Sequence, residues 1–276
     1  MPSHPSGPHR RTTVDTERHT VHSADGTRLS VLVARPPGGP DRVADAAGLL
    51  PPVLAVHGFA SSAERNWLRT GHLAELTRAG RTVIAPDLRG HGLSDRPHGP
   101  DAYTLDGMLA DLIAAVTGIA VEDAAAVTGV ARVAGVPVVD LLGYSLGARL
   151  CWTLAIRKAL PIRRMVLGGF DARPLFQGVE QGRLESLATA APGNDLVALR
   201  ALVGGLSGSG GTPTGRPLPA VPTLIVAGTD DGLATGGREL ADRLPHGAFL
   251  AVPGRDHVST VPASPFRRGV VEFLAG

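Results

Sequence analysis

The stretch Val136-Pro137-Val138-Val139-Asp140-Leu141-Leu142-Gly143-Tyr144-Ser145-Leu146-Gly147-Ala148-Arg149-Leu150 decides how this chain is read. It begins as a short, apolar, β-branched run, the pattern of a fully buried strand. Residues 146–160 then place good helix formers and apolar residues at helical spacing. Between the two sits Gly143-Tyr144-Ser145-Leu146-Gly147, a G-x-S-x-G with no length for a relaxed loop. So abrupt a turn holds its apex residue in a strained backbone conformation, and the flanking glycines remove Cβ atoms that would clash. The helix starting there aims its N-terminal amides and the positive end of its dipole at whatever Ser145 attacks. The bland alternative is an ordinary turn serine. The strand–turn–helix frame favours a nucleophile raised on a sharp elbow.

The 276 residues, 43% of them hydrophobic, are enough for one large α/β domain or for a core with a modest insertion. Formal net charge is +2 and Lys158 is the only lysine, so the pI of about 9.2 reflects arginine's high pKa in a near-balanced chain. That balance argues against a nucleic-acid or membrane-surface partner. No apolar stretch is long enough to span a bilayer. Residues 1–11 are Pro-, Ser- and His-rich and lack the apolar core of a signal peptide or anchor, so they read as a disordered tail. Cys151 is the single cysteine, which excludes an intrachain disulfide and reads as a small buried hydrophobe. The expectation is a cytoplasmic protein. His4 and His9 have no further ligands nearby, and the sequence implies no metal and no organic cofactor. It carries no sign of oligomeric state.

Residues 12–22 and 27–35 read as strands joined by the hairpin signal Asp25-Gly26, and 36–51 as a Pro/Gly-rich surface connection. A buried strand at 53–56 runs into His57-Gly58-Phe59, followed by a helix over 66–79. The strand 82–85 delivers Pro86-Asp87-Leu88-Arg89-Gly90-His91-Gly92-Leu93-Ser94-Asp95. A helical pattern continues over 104–133, with breaks expected at Gly118 and Gly129. Beyond the strand at 165–168, residues 171–221 have patchy periodicity, with helix candidates at 179–190 and 195–206 and a low-complexity run at 204–219. This segment reads as a small, partly mobile cap. Its Gly208-Ser209-Gly210-Gly211 lacks a following lysine and a strand–loop–helix frame, which favours a flexible linker over a phosphate loop. Strands at 222–227 and 248–252 and helices at 233–244 and 263–274 close the chain. Alternating strands and helices imply an α/β fold with a doubly wound, mostly parallel sheet, its core at 12–170 and 222–276 carrying the 171–221 cap. In such sheets the active site lies beyond the carboxyl ends of the strands, and Phe59, Ser145, Asp231 and His257 each follow a predicted strand.

A serine hydroxyl needs a histidine to take its proton and a carboxylate to hold that imidazole in the right tautomer. The order Ser145, Asp231, His257 resembles that of the α/β-hydrolase superfamily. His57-Gly58-Phe59 is similar to that family's oxyanion loop, and Asp87 to Asp95 to its D-x-R-G-x-G-x-S segment. The Gly143–Gly147 turn resembles the elbow, Gly228-x-x-Asp231 the acid turn, and Pro253-Gly-x-x-His257 the histidine loop. The resemblance runs from about residue 12 to the C-terminus. It implies Ser145 as nucleophile, His257 as general base and acid, Asp231 as orienting carboxylate, and the backbone amides of Phe59 and Leu146 as an oxyanion hole.

Rivals remain open. Asp230 is adjacent to Asp231, and Asp171 follows the strand where some family members carry the acid. By the same resemblance His57 and His91 hold loops, and Asp87 and Asp95 cap or tie theirs. Trp67, Tyr144, Phe170 and Phe176 are candidates to line the pocket, although aromatic residues beside such a core serve as often in packing. Serine at 145 sets the chain apart from members with aspartate nucleophiles, such as haloalkane dehalogenases and epoxide hydrolases. The resemblance therefore implies a serine hydrolase acting on a small molecule, cleaving an ester, a thioester or a lactone through an acyl-enzyme. A non-hydrolytic use of the same triad (elimination, cyclisation or acyl transfer) stays open, as does a binding protein that has kept the fold; the intact triad argues against the last.

Overall fold

The Asp25-Gly26 turn joins β1 (Thr16–His22) to β2 (Arg28–Ala34) in the computed structural model, which describes residues 14–37, 50–122, 130–171, 173, 176, 182, 185–186, 189, 191–208 and 217–276. The strands β3 (Val53–Val56) and β4 (Val83–Pro86) follow, then a small hairpin of β5 (Arg132–Val133) and β6 (Val136–Pro137). After it come β7 (Val139–Tyr144), β8 (Ile162–Gly168), β9 (Thr223–Gly228) and β10 (Gly247–Val252). Apart from the small hairpin, the strands form one sheet in the order β1-β2-β4-β3-β7-β8-β9-β10. Only β2 runs against its neighbours; from β4 to β10 every pairing is parallel.

Parallel strands buried on both faces are mostly apolar, and β3, β7 and β9 are buried at every position; the one carboxylate among them, Asp140 in β7, is paired with Arg81 and Arg163. Alternate side chains serve opposite faces. Leu54, Val56, Leu141, Leu167 and Ile225 pack under α2 (Leu105–Glu122), α3 (Leu146–Arg157) and α5 (Gly237–Arg243). Ala55, Leu142, Val166 and Val226 pack under α1 (His72–Arg78) and α6 (Ser264–Ala275). Each buried Val, Leu or Ile contributes roughly 1.5–3 kcal/mol relative to exposure. The remaining long helix, α4 (Leu196–Gly208), adds Ala201, Leu202 and Leu206 to the first face. Among the described residues no helix is long and apolar enough to cross a membrane.

Several expected elements end elsewhere. The helix expected at 66–79 divides into a π-helical turn (Glu64–Leu68) and α1, because Gly71 between them takes φ +89°. Of the helical pattern expected to reach 133, the described helix runs to Glu122 and residues 123–129 lie outside the described residues; residues 132–133 are strand, and Ala134 and Gly135, both with positive φ, close the β5–β6 hairpin. Gly118 does not break α2: a Cβ there would meet Val21 at 2.7 Å, so its glycine lets the helix lie close against β1. The expected break at Gly129 lies outside the described residues. Helix α3 ends at Arg157 rather than 160, capped by Lys158 in the left-handed region. Gly204 and Gly205, where the helix candidate 195–206 overlaps the low-complexity run, lie inside α4, where a Cβ on Gly205 would come within 2.4 Å of the Pro100 carbonyl oxygen. The tail at 1–11, residues 209–216 of the low-complexity run and most of 179–190 fall outside the described residues.

Candidate active site

Ser145 sits between β7 and α3 at φ 52°, ψ −112°, a sparsely populated conformation for a residue with a Cβ. Its N–H donates to the Gly168 carbonyl at 2.9 Å, locking the turn to β8. The glycines on either side are required by contact. A Cβ on Gly143 would lie 2.6 Å from the Ala148 Cα, and one on Gly147 would lie 2.1 Å from the Val56 carbonyl oxygen. The elbow is thus wedged against the strands beside it.

The sheet brings three side chains together at its carboxyl edge. His257, five residues beyond β10, places Nε2 3.0 Å from Ser145 Oγ. Its Nδ1 lies 2.9 Å from Asp231 Oδ2 and 3.1 Å from Oδ1. A carboxylate only accepts, so Nδ1 carries the proton and Nε2 presents its lone pair to the serine hydroxyl. The side chain of Asp231 is fully buried, and its Oδ1 also accepts the Leu233 N–H at 2.9 Å. Asp230 is exposed and accepts from Thr229 Oγ1. Asp171 is buried but faces elsewhere: its Oδ2 lies 2.8 Å from Arg173 Nε and its Oδ1 accepts the Arg173 N–H.

His57 and His91 hold loops. His57 Nδ1 donates to the Gly58 carbonyl at 2.8 Å while Nε2 accepts the Leu88 N–H. His91 Nδ1 donates to the Arg89 carbonyl while Nε2 accepts the Ala60 N–H at 3.0 Å. Burial lowers these imidazoles to about 4 and about 3, respectively, so both are neutral. They join the Gly58–Ala60 loop to the loop after β4. Asp87 ties that second loop, accepting from the Ala63 and Leu93 amides, and Asp95 accepts the Arg28 N–H. Arg89 anchors it to α2 through two 2.6 Å bonds to the buried Asp111. Losing one partner of such a pair costs about 3–5 kcal/mol. Gly58 lies against the elbow, since a Cβ there would sit 3.4 Å from Ser145 Cβ.

A cavity of about 490 Å³ opens over Ser145, with Phe59, Tyr144, Leu146, Phe170 and Phe176 in its wall. Tyr144 also holds the histidine loop, donating its hydroxyl to the His257 carbonyl at 2.5 Å. Trp67 is a correction. It is fully buried beneath the sheet, 5.2 Å from the His72 ring, and takes no part in the cavity wall. One residue of helical rotation separates it from Asn66, which does face the cavity. Asn66 Oδ1 accepts the Gly58 N–H at 3.3 Å. Sequence reasoning also missed Arg65, Arg149 and Arg173 in the wall. For Arg149 the signal was there: it lies four residues after Ser145, on the same face of α3.

Residues 51–176 match the family described as alpha/beta hydrolase fold. Epoxide hydrolase 3 of Siraitia grosvenorii is 31% identical over 120 residues, 43% of this chain and 32% of that protein. The 2-hydroxy-6-oxo-2,4-heptadienoate hydrolase of Pseudomonas putida is 34% identical over 120 residues, 43% of this chain and 37% of its own length. The matched segments thus span about a third of each of these relatives. Epoxide hydrolases, expected to stand apart, are therefore among its relatives by sequence, although position 145 is serine. The bottromycin epimerase BotH, solved in complex with bottromycin A2, superposes with a TM-score of 0.68 at 19% identity, covering 94% of this chain and 99% of its own. At that identity the likeness is one of fold. With this sheet, this elbow and the match over residues 51–176, the chain has the α/β-hydrolase fold.

Proposed function

We propose that this chain is a serine hydrolase that cleaves a carboxylic ester, or a related thioester or lactone, of a small molecule. The observation carrying the proposal is the unbroken chain from Ser145 Oγ to His257 Nε2 at 3.0 Å and from Nδ1 to the buried Asp231 carboxylate at 2.9 Å. In this reading Ser145 attacks the carbonyl carbon as His257 takes its proton. Asp231 holds the Nδ1–H tautomer and stabilises the imidazolium. The N–H groups of Phe59 and Leu146 receive the oxyanion, the second at the N-terminus of α3. Collapse releases the alcohol, protonated by His257, and leaves an acyl group on Ser145. Water, activated by His257, then hydrolyses that ester. Residues 171–221 act as a cap that shapes the acyl site. Phe176 lies 5.5 Å from Phe59, and Asn194 Nδ2 donates to the Ala60 carbonyl at 3.0 Å, which supports that role.

Ester panels, fluorophosphonate labelling and heavy-oxygen water test the proposal together. The wild type is expected to form one adduct, on Ser145, and to incorporate solvent oxygen into the acid product. Ser145→Ala is expected to lose the adduct and about 10³-fold or more in turnover. Unchanged turnover in Ser145→Ala would remove the serine mechanism, and a product without solvent oxygen would assign the triad to elimination, cyclisation or transfer.

A further inference from the structure

Arg149 leaves α3 one turn beyond Ser145, a rise of about 6 Å, on the same face. It is only 5% exposed and forms part of the cavity wall. Its Nη2 donates to the backbone oxygens of Asp171, at 3.2 Å, and Arg173, and its guanidinium stacks 4.8 Å from the centre of the Phe170 ring. Nε and Nη1 are buried with no acceptor among the described residues. The neighbouring Asp171 carboxylate accepts from the backbone N–H and Nε of Arg173 and makes no hydrogen bond to Arg149 Nε or Nη1. Burial lowers the Arg149 guanidinium to about 10, partly offset by the charge of Asp171, so it stays charged at neutral pH. Arg65, also in the wall, is committed to Asn194 Oδ1 and the Pro192 carbonyl. Three guanidiniums thus face one carboxylate among the charged residues lining this cavity.

A buried cation with two unsatisfied donors is costly unless an acceptor arrives, and a guanidinium fork matches a carboxylate in shape and charge. We propose that Arg149 anchors a carboxylate on the acyl half of the substrate, so that the preferred esters are half-esters of short dicarboxylic acids. This rests on the acyl-enzyme reading of Ser145. The short offset between Ser145 and Arg149 along one helix face suits an acyl chain such as that of glutarate, with its carbonyl at Ser145 and its free carboxylate at Arg149. A purely structural arginine, stapling the chain at Asp171 and Arg173, would bind no such group.

Two measurements decide between them. The first is kcat/KM of the full chain for 4-nitrophenyl hemiglutarate against 4-nitrophenyl valerate, which share chain length. The wild type is expected to favour the hemiester, and Arg149→Met to lower that ratio about tenfold to hundredfold, mainly through KM. Arg149→Lys is expected to keep part of the preference. The second, independent of turnover, is the rise in thermal midpoint on adding glutarate or valerate to Ser145→Ala and to Ser145→Ala/Arg149→Met. Glutarate is expected to stabilise the first and not the second. A wild type without hemiester preference and a Ser145→Ala protein that glutarate does not stabilise would overturn the proposal, even if Arg149→Met fails to fold. Glutarate stabilisation that depends on Arg149, with neither ester cleaved, would uphold the carboxylate site and remove the ester-hydrolase reading instead.

Discussion

Asp231 and Asp171 each stand three residues beyond the final glycine of a parallel strand, β9 in one case and β8 in the other. Their surroundings differ. Asp231 offers both oxygens to His257 Nδ1, whereas the Asp171 carboxylate is bound by the side chain and backbone of Arg173. The proposed mechanism needs a negative charge at one of these positions and not at the other. Asp231→Asn should lower kcat/KM by about 10⁴, because the amide leaves the imidazolium unstabilised and favours the wrong tautomer. Asp230→Asn, at an exposed position, and Asp171→Asn should each cost far less. A loss in Asp171→Asn matching that of Asp231→Asn would transfer the acid's role to the end of β8.

At the scale of elements, two neutral histidines join the loop after β3 to the loop after β4. His57 and His91 each direct an unprotonated Nε2 at a backbone N–H, so a proton added there would set two donors face to face. His72, against α6, is likewise lowered to about 4 by burial among the Trp67 and Phe266 rings. In the unfolded chain these residues take up a proton near pH 6.5; in the folded chain they resist it down to about 4 or about 3. Unfolding therefore binds protons throughout that window, and stability falls as the pH is lowered from 6.5 towards 4. Each histidine adds at most about 1.4 kcal/mol per pH unit to that slope. Denaturant midpoints at pH 7, 6, 5 and 4.5 check this. A midpoint flat or rising over that range would show that the three imidazoles are not buried as neutral groups.

At the scale of the whole molecule, the described part of residues 171–221, the proposed cap, leans on the loop after β3. Leu199 packs with Ala60, Arg65 reaches Asn194, and Phe176 meets Phe59 edge to face. The apolar and cationic walls over Ser145 therefore come from several separate stretches of chain. Replacing residues 171–203 by a short linker should change which acyl groups are accepted, while a small activated ester such as 4-nitrophenyl acetate is still cleaved. An unaltered acyl preference in that variant would place specificity in the loop around Phe59.

The sequence by itself determined what is local and periodic. The β-branched run into Gly143–Gly147, the Asp25-Gly26 turn and the strand ends carrying Phe59, Ser145, Asp231 and His257 were legible because buried strands, tight turns and helix starts leave short-range composition signals. Tertiary structure decided what depends on contacts across the chain. Helical spacing persists in the sequence to 133, with breaks expected at Gly118 and Gly129, yet Gly118 lies inside α2 and residues 132–137 pair as a hairpin around two residues at positive φ. Trp67 and Asn66 are neighbours in sequence, and packing against α1 and α6 sent the aromatic ring under the sheet and the amide to the cavity. Gly205 lay where a helix candidate met a low-complexity run, and the approach of Pro100 shows why the helix there lacks a Cβ. Which carboxylate faces His257, and which guanidinium has donors without a partner among the described residues, follow from side chains brought together from residues distant in sequence, and no local pattern encodes that convergence.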